Sequence, residues 1–496
     1  MTIGVLPDVV LLEMFDFYVN QVREEDSPDV TVESWRTLVH VCRHWRSVVF
    51  SSPRRLNLRL LCTPETQVRK TLDVWPYLPI FVQQRQYGLL GGDPDNIVAA
   101  LEHNDRVCEI DLFDISSSQL ERALAAMQVP FPALTKLEVR RKDDGTTPPP
   151  VVLDSFMEGS APRLRYLDLT RVPFPGLPRL LSSATNLVYL YLWKTPHSGY
   201  ISPEAIVRCL SPLTSLESLS LEFESPRSRP SDRELRRPPP PTRSVLPSLT
   251  CLIFKGVSIY LEDLVVRIDV PLLESLQITF FHQLIFDTPQ LVQFISRTPN
   301  HKAPIEARAI FSSGFVQVTL TRPGQTSPGG LELGFTSSQS DWQLSSLAQA
   351  FSSSIPQALI STVEQLYIYE SGFLLPRWQG DIEESQWLDV LNPFTAVKDL
   401  YLSQNFVPRI APTLQELVGE RVTEVLPALQ SLFLEKLHPS GTVQEEIEKF
   451  VAERQLAEHP IAISLWEREH DDKLEADGSS DTDGSLVVGG SSVVDD

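Results

Sequence analysis

The sequence predicts an α/β chain whose bulk is one long parallel sheet with helices on its convex side, and three observations predict it. An apolar strand pattern, Leu-x-x-Leu-x-Leu, recurs along the 496 residues. Its clean copies read Leu134/Leu137/Val139, Leu164/Leu167/Leu169, Leu187/Leu190/Leu192, Leu216/Leu219/Leu221, Leu249/Leu252/Phe254 and Leu273/Leu276/Ile278. After a gap come Val363/Leu366/Ile368, Val397/Leu400/Leu402 and Leu429/Leu432/Leu434. The first six copies start 30, 23, 29, 33 and 24 residues apart, the period of a leucine-rich solenoid with one strand per repeat. No such repeat buries its apolar face alone, so stacked neighbours build the core. Finally, glycine is scarce (22 residues) and proline abundant (40), which weighs against phosphate-cradling loops and suits many short turns.

Residues 1–56 read differently from the rest. Pro7 and Asp8 suit a helix first turn, where proline's missing donor is not needed and an acid meets the positive helix end. Val9, Val10, Leu11, Leu12, Met14, Phe15, Phe17 and Tyr18 then make a helix apolar on too many sides for a solvated surface. A polar loop is expected over 19–31, with Pro28 inside it. A second helical stretch carries Trp35, Leu38, Val39, Val41, Cys42, Trp45, Val48 and Val49 and ends before Pro53.

Residues 57–105 read as a connecting segment and opening repeat: a helix turn at Leu72, Val74 and Trp75, a first strand near 78–82 and a helix over Asn96–Glu102. The solenoid proper is expected over 106–466, opening with the degenerate strand Val107/Ile110/Leu112. Helices between strands are visible at Ala205–Leu210, Leu291–Ser296 and Leu344–Phe351. Between Leu276 and Val363 the spacing leaves room for two or three degraded repeats, with strands at Phe315–Leu320 and Leu331–Leu333. Within 225–247, six arginines and Pro238–Pro241 make a locally basic loop of extended, core-free composition. Thr442 and Glu445 have capping-box spacing for a closing helix, with Ile447, Phe450 and Val451 on one face. A last strand follows through Ile461, Ile463 and Leu465, and from 467 to 496 the composition is that of an acidic disordered tail.

A formal charge of −21 argues against sequence-independent binding to nucleic acid or to acidic membranes. Five cysteines without a C-x-x-C pair point to a reducing compartment, the cytoplasm or nucleus. No charged-then-apolar leader, no apolar run of about 18 residues and no N-x-[ST] acceptor is found. A mean hydropathy of −0.08 is that of an ordinary soluble chain.

The N-terminal segment resembles an F-box. The match rests on Leu6-Pro7-Asp8, the apolar run Val10 to Phe15, and Val41-Cys42-Arg43-His44-Trp45-Arg46 followed by Ser51-Ser52-Pro53, in that order and ahead of leucine-rich repeats. The connection between the two helical stretches is longer than is usual in that family. As a whole the chain looks like a fungal F-box-like protein with irregular leucine-rich repeats. The resemblance implies a substrate-recognition subunit of a Skp–cullin–F-box ubiquitin ligase, with no active site of its own. On the family motif, Leu6, Pro7, Leu11, Cys42 and Trp45 would face a Skp-family adaptor, and through it a cullin ligase. The alternative is a non-catalytic leucine-rich scaffold whose F-box-like helices only cap the solenoid.

His40 and His44 stand four apart on a predicted helix with Cys42 between them, as a metal pair would. No second ligand cluster accompanies them, so helix packing is the expectation. None of G-x-S-x-G, G-x-x-x-x-G-K-[ST], G-x-G-x-x-G or H-E-x-x-H occurs, and neither enzyme activity nor a cofactor is expected. The positions flanking the inward residues of each strand line the concave sheet. They hold Tyr189, Tyr191 and Trp193 in the centre, beside Tyr166, and Tyr367, Tyr369, Tyr401 and Phe433 towards the C-terminus. Rigid aromatics tend to dominate binding, so these two clusters are the candidate surfaces for a protein substrate. The alternative is that aromatics simply suit strands.

Overall fold

The computed structural model describes residues 6–24, 34–51, 58–74, 77, 79–84, 92–143, 149–226, 242–281, 287–301, 303–322, 330–337, 340–371, 384–435 and 442–467. Most of the basic loop and nearly all of the acidic tail lie outside these residues.

Three helices open the chain: α1 (Asp8–Glu24), α2 (Ser34–Val41) and α3 (Arg43–Ser51). α1 starts at the expected acid but runs to Glu24, past the expected loop start, because nothing before that point breaks a helix. The second helical stretch is two helices, not one. Cys42 interrupts it and then caps α3: its carbonyl accepts from the Arg46 N–H at 3.1 Å and its Sγ from the Trp45 N–H at 3.4 Å.

Eighteen strands follow in chain order among the described residues. They are β1 (Leu58–Leu61), β2 (Ile80–Gln84), β3 (Val107–Ile115), β4 (Lys136–Arg141), β5 (Tyr166–Thr170), β6 (Tyr189–Thr195), β7 (Ser218–Phe223), β8 (Ser244–Val245) and β9 (Cys251–Gly256). Then come β10 (Ile268–Asp269), β11 (Ser275–Phe281), β12 (Glu306–Phe311), β13 (Phe315–Thr321), β14 (Gly330–Thr336), β15 (Gln365–Glu370), β16 (Asp399–Leu402), β17 (Ser431–Glu435) and β18 (Ala462–Trp466). β8 and β10 pair only with each other, and the other sixteen form one sheet. The fold is therefore an α/β leucine-rich solenoid, parallel throughout except at β13.

The repeat pattern sets the register. Leu137, Leu167, Leu190, Leu219, Leu252 and Leu276 stand directly opposite one another along the sheet. Leu366, Leu400 and Leu432 do the same beyond the gap. All are buried, since a period of two sends them to the face that the helices cover. Just before the strands a second ladder ties repeat to repeat. The N–H of Arg165 donates to the Thr135 carbonyl, that of Val188 to Arg165 and that of Glu217 to Val188, at 2.8–2.9 Å. Short polar caps start the covering helices: Asp93 caps Pro94–Leu101 and Ser202 caps Pro203–Leu210.

β1 and β2 belong to the sheet, in the segment read as a connecting segment and opening repeat. One expectation is corrected. Among the described residues, the gap between Leu276 and Val363 holds no degraded repeats. β12, β13 and β14 form an antiparallel meander inserted into the parallel sheet, in the spatial order β11-β14-β13-β12-β15. Two strands separate β12 from β11, so β13 and β14 fill the space on the way back, and helix Ser340–Ser353 crosses over them. Gly330 opens β14 at φ +146°, where a Cβ would lie 2.6 Å from the Leu320 carbonyl oxygen, so only glycine fits there.

At the C-terminal end Thr442 is the first residue of helix Thr442–Leu456, and Ile447 and Phe450 are buried as expected. Ile461, just ahead of β18, is buried, but no residue of the strand itself is; Ile463 and Leu465 remain 46% and 61% exposed. They pair with Leu432 and Leu434, but no further described helix covers them. Among the described residues no helix is long and apolar enough to cross a membrane. The five cysteines are unpaired, and burial pushes the Cys62 thiol up to about 12.

Candidate functional site

The first surface is helical. Leu6 packs partly into the core, Pro7 is exposed, and Trp45 sits against Phe15 with ring centroids 4.8 Å apart. Asp8 and His44 lie 3.5 Å apart, joining α1 to α3. Leu11 does not face outward: it is 0% exposed and packs with Leu12, Phe15, Val48 and Val49 into the core shared with Leu60 and Cys62. Leu11 is thus corrected from a surface residue to a core residue. The exposed apolar residues of α1 are its opposite side, Val10 (42%), Met14 (45%) and Phe17 (69%), with Val9 beside them and Val41 exposed on α2. Val10, Met14 and Phe17 are spaced i, i+4, i+7 and so form one stripe. Cys42 is exposed and serves as the α3 cap described above.

The second surface is the sheet face opposite the leucines, the concave side. In its centre Tyr166, Tyr189, Tyr191 and Trp193 form a continuous ring cluster, with neighbouring centroids 5.6–6.3 Å apart. Charged neighbours from β4 and β5 border it. Arg140 reaches Asp168 at 2.9 Å and Glu138 at 3.0 Å, and Lys136 reaches Glu138 at 2.8 Å. Burial pushes the Asp168 carboxyl up to about 6; Arg140 and the Thr170 hydroxyl offset part of that effect.

Towards the C-terminus the register lines up Arg308, Tyr367, Tyr401 and Phe433 on four adjacent strands. Tyr367 and Tyr401 stack at 4.1 Å and 10°, Tyr401 and Phe433 at 4.3 Å and 7°. The Arg308 guanidinium lies 5.6 Å from the Tyr367 ring centroid at one end. Trp466 stands across the stack, steeply inclined to Tyr367, Tyr369 and Tyr401 at 5.8, 6.5 and 5.5 Å. All four predicted aromatics therefore meet in one half-exposed surface, and the sequence reading missed two members, Arg308 and Trp466. Burial pushes the Tyr367 and Tyr401 phenols up; the Glu306 carboxylate adds to this at both, Asp399 at Tyr401.

Among the described residues no group of three or more His, Cys, Asp or Glu side chains is placed to hold a metal ion. No family model matches the sequence, and no curated protein matches it. Among solved structures, the leucine-rich repeat-containing protein LegL7 from Legionella pneumophila is similar over 80% of this chain and 97% of its own, at 14% identity and a TM-score of 0.28. A likeness that low says nothing about what this chain does.

Proposed function

We propose that this chain is the substrate-recognition subunit of a Skp–cullin–F-box ubiquitin ligase. It would hold the Skp-family adaptor through α1–α3 and a protein substrate through the concave face. It would leave ubiquitin transfer to other subunits and work in the cytoplasm or nucleus. The observation that carries the reading is the Val10–Met14–Phe17 stripe. A helix already buried along its Leu11/Phe15 side has no structural need of a second apolar side, and leaving one in water is unfavourable. An amphipathic helix laid into an apolar groove of a partner accounts for it.

A second reading has support from Leu11, Phe15 and Val49, which share a core with Leu60 and Cys62, so the helices also shield the first strands. A cap alone leaves the stripe unexplained. Co-purification with a Skp-family adaptor separates the two. Met14→Asp/Phe17→Asp places charges in the proposed interface and should abolish capture with unchanged circular dichroism. Full retention of the adaptor by that variant, or failure of the unaltered chain to capture it, would reject the proposal in favour of the cap.

A further inference from the structure

We infer that Glu332, in the middle of the concave sheet, receives a lysine side chain of the bound protein. This rests on the reading of the concave face as the substrate surface and adds one side chain that the face selects.

β14 turns Leu331 and Leu333 to the buried side, so Glu332 stands on the concave side with Gly330 and Gly334 before and after it. Gly330 is there for its backbone. Gly334 has no such reason: a Cβ on it would come no closer than 3.4 Å to the Thr279 Oγ1, and β14 keeps unbroken register with both neighbours. The two glycines therefore leave the glutamate clear along its own strand. Across the sheet Glu332 lies between Gln277 and Thr319, with Ser275 and Thr279 beside it on β11 and Gln317 on β13, all of them neutral. The Gln317 amide donates to the Thr319 hydroxyl at 3.3 Å, not to the glutamate. Among the described residues, Glu332 has neither a hydrogen bond nor an ion pair. The cations nearest in register face acids of their own. Arg308, two strands along the row, pairs with Glu306, and Lys255, two strands the other way, stands opposite Glu222.

A half-buried carboxylate without a counter-charge is unfavourable, and a glutamine, as at Gln277, would fill the same space without that penalty. A cation brought by a partner removes it. An ammonium suits the place better than a guanidinium. It is a compact charge with three donors, and Glu332, the Gln277 amide oxygen and the Thr319 hydroxyl offer three acceptors on adjacent strands. The arrangement also carries a pH signature. Burial pushes the Glu332 carboxyl up to about 7, so an ammonium docking there below that pH must expel a proton. Affinity should fall about tenfold from about pH 8 to about pH 6.

The test pans a library of random peptides of about nine residues against the full chain at about pH 8 and measures the selected peptides by fluorescence anisotropy. They should carry a lysine whose replacement by acetyl-lysine, which keeps the length and removes the charge, weakens binding about thirtyfold. Arginine in its place should bind severalfold more weakly than lysine. Glu332→Gln should bind the lysine and acetyl-lysine forms alike and lose the dependence on pH between about 6 and 8. Circular dichroism and thermal melts report that the variant is folded.

Selected peptides that are weakened by Tyr191→Ala or Tyr401→Ala but indifferent to Glu332→Gln would overturn the lysine site while leaving the concave face as the binding surface. Peptides indifferent to all three substitutions, or no selected peptide at all, would overturn both. Arginine bound as tightly as lysine would overturn the choice of an ammonium. A gain in affinity on deleting 227–241 would show that the chain's own arginines occupy the carboxylate, and would overturn the assignment to a partner.

Discussion

Tyr367 and Tyr401, on adjacent strands, stack with centroids 4.1 Å apart and planes 10° apart, and the Tyr367 hydroxyl is hydrogen-bonded to Tyr401. Strand spacing in a parallel sheet is about 4.8 Å, so rings directly opposite each other need only a small tilt to reach contact. The ladder is therefore built by register, at no folding cost beyond that of the sheet.

Because the rings rest on the sheet rather than in the core, recognition and stability should separate. Tyr401→Ala removes two stacking contacts from a half-exposed site and should cost about 1–2 kcal/mol. Leu400→Ala, one residue away on the buried side, should cost about 3 kcal/mol. Urea unfolding of both variants measures the difference. Equal losses would mean that the ladder is part of the structural core.

Leu11 and Met14 make the same separation on α1. Leu11→Asp buries a charge with no partner and should melt the helical unit, visible as lost helical signal and a lower midpoint. Met14→Asp faces water and should leave both unchanged. If Leu11→Asp folds normally, the packing of α1 onto α2 and α3 is wrong.

The repeats were legible because period two and the leucine spacing together name both the strands and the buried side. The register followed, for Leu137 through Leu276 simply align. Strand direction was not legible: Phe315–Leu320 alternates in an antiparallel strand as it would in a parallel one, so the meander read as degraded repeats. The alternation of Ile463 and Leu465 places Trp466 on the Phe433 side, so that member of the ladder is legible in the sequence. Leu11 failed for another reason: a helix apolar on two sides does not say which side packs internally.

Arg454 is fully buried, and its guanidinium donates to the carbonyls of Val422, Leu426 and Leu429 at 3.0–3.3 Å. Burial lowers its pKa, and no carboxylate among the described residues offsets that effect. Arg454→Ala strands three carbonyls over a cavity and should cost about 3 kcal/mol or more, concentrated at the C-terminal repeats. Arg454→Lys should rescue little, because one ammonium cannot reach all three acceptors in the guanidinium's planar fork. Hydrogen exchange of 419–435 reports the effect locally. Unchanged protection in Arg454→Ala would reject the clamp.

Glu332 gives the clearest pH dependence. It lies on the concave row between Gln277 and Thr319, neither of them charged, and burial alone pushes its carboxyl up to about 7. A carboxyl raised in the folded state holds its proton more tightly there than in the unfolded chain, whose value is near 4.5. Its contribution to stability is therefore fully present below about 4.5 and is lost as pH rises towards about 7. Asp168, raised to about 6, slopes in the same sense from about 3.8 upwards. Glu332→Gln keeps the shape and removes the proton. It should leave the melting temperature near pH 4.5 almost unchanged and raise it by several degrees at pH 8, flattening the profile between. Thermal melts of both proteins across that range decide it. An unaltered slope in Glu332→Gln, with the full chain folded at each pH, would mean that the carboxyl is already solvated or paired and that the concave row beside the ladder is not dry.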